Sequence, residues 1–377
     1  MMFDVIVVGA GPVGLLLACR LAQLGVGVKV LESHLDKRKS SRAIGIHPPS
    51  LERLEQVGLA HAMIQKGIKV KRGKAFTDTN YLGDVNFETC PKPYTFVLTL
   101  PQWQTEQLLE EKLLELAPDA LERGVKVTRL EQSPRSVCVH CQADEHEYSR
   151  EAKFVVSCDG KHSHLRDQLG ISFDGHIYPD SYLMGDFADS TDLGCDAGVY
   201  LTSEGLVEAF PLPQGIRRWV AKTDVFIKQP KVDQLIGLIR GRIGIHLEAK
   251  TNQMLSSFRV QRYLANQFAK GRVLLAGDAA HVLSPIGGQG MNLGWLDAWE
   301  AATKLTSALA SGQFQAQFEA YDKRQRRAAK RAARRAEYNM YLGRKTSLPG
   351  LKNAFVKSLL NSPLERVLAK VFTMRWL

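Results

Sequence analysis

The first 32 residues restrict the possible fold more than any other stretch of the chain. Phe3-Asp4-Val5-Ile6-Val7-Val8 is a short β-rich apolar run that stops at Gly9. Pro12 to Leu24 reads as a helix with small and apolar residues on most faces, and Val26 to Leu31 is a second apolar run ending at Glu32. Strands apolar at consecutive positions are buried on both faces, as in a parallel sheet covered by helices, so this is a βαβ unit. Between its first strand and helix stands Gly9-Ala10-Gly11-Pro12-Val13-Gly14, a GxGxxG turn. Gly9 permits the tight turn, Gly11 lets the backbone approach a pyrophosphate, and Gly14 allows the helix to pack closely on the strand. The helix N-terminus offers free N–H groups and partial positive charge to phosphates. Glu32 lies 18 residues after Gly14, placed to accept hydrogen bonds from a ribose diol and to repel a 2′-phosphate. A dinucleotide site follows, with FAD and NAD both open.

The chain has 377 residues and 45% hydrophobic content, enough for a large core and two or three domains. Ser50 to Gly58 reads as a short helix after Pro48-Pro49, and Gln104 to Ala117 as an amphipathic one. Val125 to Leu130, Val137 to Cys141 and Lys153 to Ser157 are strand candidates. Over residues 176–269 prolines, glycines and aromatics interrupt short runs such as Leu206 to Phe210 and Arg218 to Ala221, which suggests a mostly β second domain. Arg272 to Ala276 is another buried strand, leading into Gly277-Asp278, and from Trp295 onward the chain is helical.

Six cysteines are too few for a disulfide scaffold at this length. Cys138-Val139-His140-Cys141, with His146 nearby, matches CxxC, but the segment reads as a strand and no second ligand pair stands at zinc spacing. No metal is expected. The apolar N-terminus lacks a preceding Lys or Arg and carries Asp4, unlike a signal peptide, and no run reaches the ~20 apolar residues of a spanning helix. Cytoplasmic placement is expected. The formal charge of +11 favours anions without choosing among nucleotides, phenolates, nucleic acid and acidic membranes.

Two further motifs follow strands. Asp159-Gly160-Lys161-His162-Ser163-His164-Leu165-Arg166 reads DGxxSxxR; Gly277-Asp278-Ala279-Ala280-His281 precedes Pro285 and Gly287-Gly288-Gln289-Gly290-Met291-Asn292. In order and spacing, the three motifs resemble the group A flavoprotein monooxygenases, the family of para-hydroxybenzoate and phenol hydroxylases, over residues 3 to about 330. Arg42 followed by Pro49-Ser50-Leu51-Glu52, and Leu100-Pro101-Gln102-Trp103, resemble two more family segments. The resemblance implies an α/β fold: a Rossmann-like FAD-binding domain, an inserted mostly β substrate domain and a C-terminal helical segment. The expected boundaries are 1–70, 95–175 and 270–330 for the FAD-binding domain, 71–94 and 176–269 for the substrate domain, and 331–377 for the C-terminal helices.

The cofactor implied is FAD, with NADH or NADPH as co-substrate. Asp278 would bind its ribityl and pyrophosphate region, Asp159 would sit near FAD and the NAD(P)H path, and Arg42 and Gln102 would contact FAD. Gly9, Gly11, Pro12, Gly14, Glu32, Gly277, Pro285, Gly287, Gly288, Gly290, Met291 and Asn292 complete the expected cofactor set. The glycines after Pro285 keep side chains away from the flat isoalloxazine, and the helix they open would stabilise anionic reduced flavin. His281 is expected to pack or cap rather than react.

The implied reaction is oxygenation of an aromatic or polyketide-like ring: NAD(P)H reduces FAD, O2 adds to give a flavin C4a-hydroperoxide, and that species transfers oxygen. The candidates facing substrate are His47, Tyr182, Tyr200, Phe210, Pro211 and Trp219, each with an alternative as a core residue. His47 is a candidate for assisting phenol deprotonation. Halogenase and isoprenoid-reductase motifs are absent, and the chain is shorter than phenol hydroxylases that carry a thioredoxin-like domain, which together favour a compact hydroxylase. A flavin reductase or dehydrogenase acting on a lipid or quinone-linked substrate, and a non-catalytic flavin-binding redox sensor, are the competing readings.

Lys323 to Arg335 places eight positive charges in 13 residues, with Ala328, Ala329, Ala332, Ala333 and Ala336 between them. This reads as a solvated helix packed through its alanine stripe, without the interleaved aromatics of a nucleic-acid site. Ser362-Pro363 looks like an N-cap and N1 pair for a basic amphipathic helix carrying Leu364, Val367, Leu368, Val371 and Phe372. Docking of that helix within the protein is preferred; peripheral contact with an anionic bilayer is the alternative. The sequence leaves the oligomeric state open.

Overall fold

The computed structural model describes residues 2–37, 43–344 and 349–376. Its first layer is a sheet whose parallel strands run in the order Val273–Leu275, His146–Ser157, Met2–Val8, Val28–Glu32 and Leu121–Arg123. Val5, Ile6 and Val7 are fully buried because helices cover one face and a hairpin of Val125–Gln132 and Val137–Ala143 covers the other. The chain leaves Met2–Val8 for a neighbour on one side and later returns to pair with it on the other. Gly9 thus stands at the topological switch point, where open α/β sheets bind ligands.

Pro12–Gln23 packs between Gln102–Leu116 and the long helix Gln289–Ser311. The helix expected to open from the glycine loop near Met291 starts at Gln289, because Gly288 adopts the left-handed conformation (φ 64°) at its N-cap and turns the loop directly into the helix.

The second sheet has eight strands in the order His281–Val282, Met254–Ala265, Phe173–Ala188, Ile216–Thr223, Gly205–Leu212, Ala197–Thr202, Arg72–Phe76 and Tyr81–Asn86. It begins at Phe173, three residues before the expected boundary, and borrows His281–Val282 from the segment assigned to the first domain. Side chains alternate across it. One face, with Leu183, Val207, Trp219 and Ala221, packs under the helix Val232–Ile243. The other, with Met184, Leu206 and Val220, faces a cleft.

The chain closes through the helices Gln315–Gly343, Pro349–Leu360 and Glu365–Phe372. In the first, Ala329, Ala332, Ala333 and Ala336 are buried while Lys323, Arg324, Arg327, Lys330, Arg331 and Arg334 are exposed. The last helix docks on Tyr81–Asn86: Glu365 accepts from the Asn86 N–H, Arg375 bonds Glu52, and Arg375 also donates to the Pro91 and Tyr94 carbonyls. It starts two residues later than expected. Ser362 Oγ accepts from the Leu364 N–H at 3.3 Å, so Ser362 makes a turn ahead of the helix instead of capping it. No helix among the described residues is long and apolar enough to cross a membrane.

Candidate active site

A single cleft of about 1530 Å3 runs from the glycine turn, past the Pro285–Gly290 loop, to the inner face of the eight-stranded sheet. Ligand pockets are commonly about 300–1,000 Å3, so this one has room for a dinucleotide and a second molecule.

At the first end the surface is backbone. A Cβ on Gly11 or Gly290 would meet no protein atom within 4 Å, so both open onto the cleft. Gly9 (φ 103°) turns away from the strand, and a Cβ there would stand 2.5 Å from the Cys158 carbonyl oxygen. A Cβ on Gly14 would overlap the Gly9 carbonyl oxygen. Gly14 therefore builds the turn from behind and does not line the cleft. Glu32 Oε2 accepts from the Ala10 N–H at 2.7 Å, tying the second strand to the turn. Burial alone would raise the Glu32 pKa; hydrogen bonds from the Ala10 and His34 N–H groups outweigh it and hold the carboxyl below its ordinary value.

The three motifs are fastened to one another. Trp295 Nε1 donates to the Pro12 carbonyl at 2.8 Å, pinning the long helix to the first turn. Asp297 Oδ2 accepts from the Gly277 N–H at 3.1 Å and pairs with His281 Nε2 at 2.6 Å, both side chains fully buried. Arg166, also buried, donates to the Lys161 and Ala279 carbonyls and lies 3.8 Å over the Phe173 ring, joining the DGxxSxxR loop to the Gly277–Ala279 turn. Asp159 bonds Ser157 Oγ and faces the cleft, and Asp278 is exposed into it.

Asn292 is the central latch of the glycine loop. Its Nδ2 donates to the Gly45 and Gly288 carbonyls, each at 2.8 Å, and its Oδ1 accepts from the His47 N–H at 2.8 Å. Asn292 and Gly277 do not line the cleft; like Gly14, whose expected role was packing, they support its wall from behind. Gly9, Gly11, Pro12, Glu32, Gln102, Asp159, Asp278, Pro285, Gly287, Gly288, Gly290 and Met291 all line the cleft. Gln102 Oε1 accepts from the Ala43 N–H at 3.3 Å. Arg42 lies outside the described residues.

The substrate-facing candidates separate. His47 and Phe210 line the cleft. Tyr200 and Trp219 do not: they stack at 6.5 Å on the opposite face of the sheet, because strand alternation sends Val199 and Val220 inward in their place. Pro211 is turned away as well, and its carbonyl accepts from Thr99 Oγ1 at 2.6 Å. Tyr182 is buried beneath the inner face, stacked on Phe258 at 5.3 Å. His47 lies 3.2 Å through Nε2 from the Gly287 carbonyl, and burial, with the Arg335 charge, lowers its pKa to about 4. An imidazole so held is kept neutral and positions the loop. One residue that sequence reasoning missed is Glu208, a buried carboxyl on the inner face of the sheet. Only its period-two spacing with Leu206 and Phe210 could have placed it there.

The chain matches the family described as FAD binding domain over residues 2–336. It belongs to the group A flavoprotein monooxygenase family. Rifampicin monooxygenase of Streptomyces venezuelae is 34% identical over 81% of this chain and 64% of that protein. The 12-dehydrotetracycline 5-monooxygenase/anhydrotetracycline 6-monooxygenase of Streptomyces rimosus is 32% identical over 81% and 63%. The chain thus spans just under two thirds of the length of these relatives. Among solved structures, p-nitrophenol 4-monooxygenase from Pseudomonas putida superposes with a TM-score of 0.89 at 24% identity, over 100% of this chain and 97% of that one. At that identity the likeness speaks to the fold alone.

FAD is the cofactor of this flavoprotein, and the residues present fit it. Open glycine backbone at Gly11 and Gly290, an uncapped helix N-terminus at Gln289 and the Glu32 carboxylate at the strand end form a donor and acceptor set suited to a pyrophosphate, a flat ring and a ribose.

Proposed function

We propose that this chain is an NAD(P)H- and O2-dependent monooxygenase that hydroxylates a small aromatic, phenolic or polyketide-like substrate. One observation carries the reading: the cofactor end and the apolar sheet face belong to a single cleft, joined at the Pro285–Gly290 loop. Bound FAD supplies the electron transfer from nicotinamide to O2 and the oxygen that reaches the substrate.

The chain's own residues do the rest. Met184, Val199, Phe210 and Val220 give the ring an apolar floor. Val356, Leu359 and Leu360 of the tail line the same space from the opposite side and reduce the access of water to it. The N-terminus of Gln289–Ser311 has no side-chain cap, so its N–H groups and partial positive charge remain available where the glycine loop meets the cleft.

The test is to screen the purified yellow protein for phenols and polycyclic aromatics that accelerate NADH or NADPH oxidation, then to weigh the products formed under isotopically labelled O2. One labelled oxygen atom per product molecule is expected. Nicotinamide oxidation without label in the organic product would instead identify a flavin reductase or dehydrogenase. Bound FAD with negligible turnover across the panel would identify a flavin-binding sensor.

A further inference from the structure

Glu208 stands at the centre of the cleft floor. Across the sheet its row reads Ala75, Val199, Glu208, Val220, Met184, each paired in register with the next. All five line the cleft, and the other four are apolar. The roof opposite is apolar as well, formed by Val356 and Leu360. Glu208 is only 8% exposed, and among the described residues no hydrogen bond or ion pair reaches its carboxyl.

The charged side chains of the adjoining strands and the roof are engaged elsewhere, and Arg259, which also lines the cleft, lies over the Phe226 ring at 4.5 Å. Arg218, on the adjacent strand, gives Asp186 two hydrogen bonds of 2.7 and 2.8 Å. Lys222 and Arg344 pair with Asp180, and Lys74 pairs with Asp196. Lys352 of the roof helix donates to the Arg344 carbonyl. Among the described residues the buried Tyr182 hydroxyl has no hydrogen-bond partner, and it feels the Glu208 and Asp180 charges. Burial pushes the Glu208 pKa up to about 7, so the carboxyl titrates at neutral pH. A carboxyl set unpaired in an apolar cavity is costly to the fold, and that cost falls when a bound molecule satisfies it.

We propose that Glu208 sets the substrate class: it accepts a hydrogen bond from a hydroxyl on an otherwise apolar aromatic molecule and rejects aromatic carboxylates. This rests on the reading of the cleft as an aromatic hydroxylase site. A substrate hydroxyl supplies the missing donor, and a second carboxylate would meet like charge in a low-dielectric space. The paired Arg218 offers such an anion little, since Asp186 already holds its guanidinium.

The experiment uses FAD-loaded protein and reads binding by perturbation of the flavin absorbance, with no turnover required. The probes are 2-naphthol, its methyl ether and 2-naphthoate. Wild type is expected to bind naphthol at least about tenfold tighter than the ether, as a charged acceptor in a dry site implies, with naphthoate weakest. Naphthol binding should weaken as pH falls through about 7, where the carboxylate becomes protonated. Glu208→Leu should bind naphthol and ether alike and lose the discrimination against naphthoate. Glu208→Gln, which keeps an acceptor and the shape, should retain part of the naphthol preference without its pH dependence. FAD content and melting temperature of each variant confirm folding. The proposal is overturned if wild type binds naphthol no tighter than the ether, including no binding of any probe, or if Glu208→Leu keeps the wild-type order. Because the readout is binding, a failure of oxygen incorporation under labelled O2 would sink the hydroxylase reading separately.

Discussion

At the cofactor end of the cleft the backbone makes the surface. Gly11 and Gly290 stand open where side chains would otherwise be, and Asn292, Trp295 and Asp297 fasten the loops from behind. At the substrate end side chains make the surface. Ala75, Met184, Val199, Glu208 and Val220 come from five strands, and the cover comes from the helix Pro349–Leu360, about 130 residues beyond the last of them. A backbone surface demands glycine at fixed places in short segments. A side-chain surface demands only that the right face of each strand be apolar, which many sequences satisfy.

The sharpest break in this comparison is within the glycine turn. Gly14→Val puts a side chain where the Gly9 carbonyl already lies, so the turn cannot close. The expected product is colourless protein with flavin at background level and a broadened melt. Gly11→Ala meets no protein atom and should fold normally, with FAD affinity reduced by about tenfold or more because the methyl would project into the cleft where a GxGxxG turn admits a pyrophosphate. Equal thermal stability of the two variants would end the distinction between a packing glycine and a ligand-facing one.

Next in size is the buried pair behind the Gly277 turn. His281→Ala leaves Asp297 buried with its partner gone, which costs about 3–5 kcal/mol by chemical denaturation. Burial by itself lowers the His281 pKa, but the Asp297 carboxylate and its hydrogen bond outweigh burial and raise it. A raised folded-state pKa means stabilisation is complete below the ordinary imidazole value of about 6.5 and is lost as pH rises through the folded-state value. Wild type should therefore lose stability on going to alkaline pH, and the variant should lose this component of the slope.

Asn292→Ala sharpens the comparison from the cofactor side. It leaves the His47 N–H and the Gly45 and Gly288 carbonyls without their partner, at a cost of about 1–3 kcal/mol, and FAD should dissociate faster. Leu360→Ala tests the other side: it removes apolar cover from the cleft and should raise KM for an aromatic substrate about fivefold, leaving FAD affinity unchanged. A loss of FAD in Leu360→Ala would show that the two ends are not independent.

These differences explain what could be read in advance. The βαβ unit, the three motifs and the cofactor were legible because each requires residues of one kind at one spacing. Glu208 was not, because its surroundings are set by cross-strand register between segments about 130 residues apart, from Ala75 to Glu208, and no local pattern encodes register. Tyr200 and Trp219 misled for the same reason: an aromatic in a strand shows that a face is buried, not which face. His47 was legible as a site residue, but its role depended on the Gly287 carbonyl, 240 residues away.

The smallest expected effects lie within the basic helix, where two residues five apart behave differently. Lys330 is exposed, and Lys330→Ala should change stability by no more than about 0.5 kcal/mol. Arg335 is half-buried, with its guanidinium 5.0 Å from the Trp376 ring and 6.0 Å from that of Phe372, and burial lowers its pKa to about 10. Arg335→Ala removes a cation held between two tail aromatics, so about 1–2 kcal/mol should be lost and proteolysis near residue 376 should quicken. Arg335→Lys keeps the charge without the planar group and should recover only part of this. If Lys330→Ala and Arg335→Ala melt alike, the tail is not anchored through this helix, and the cover over the substrate end must be held by its other contacts, among them those of Arg375, Glu365 and Asn361.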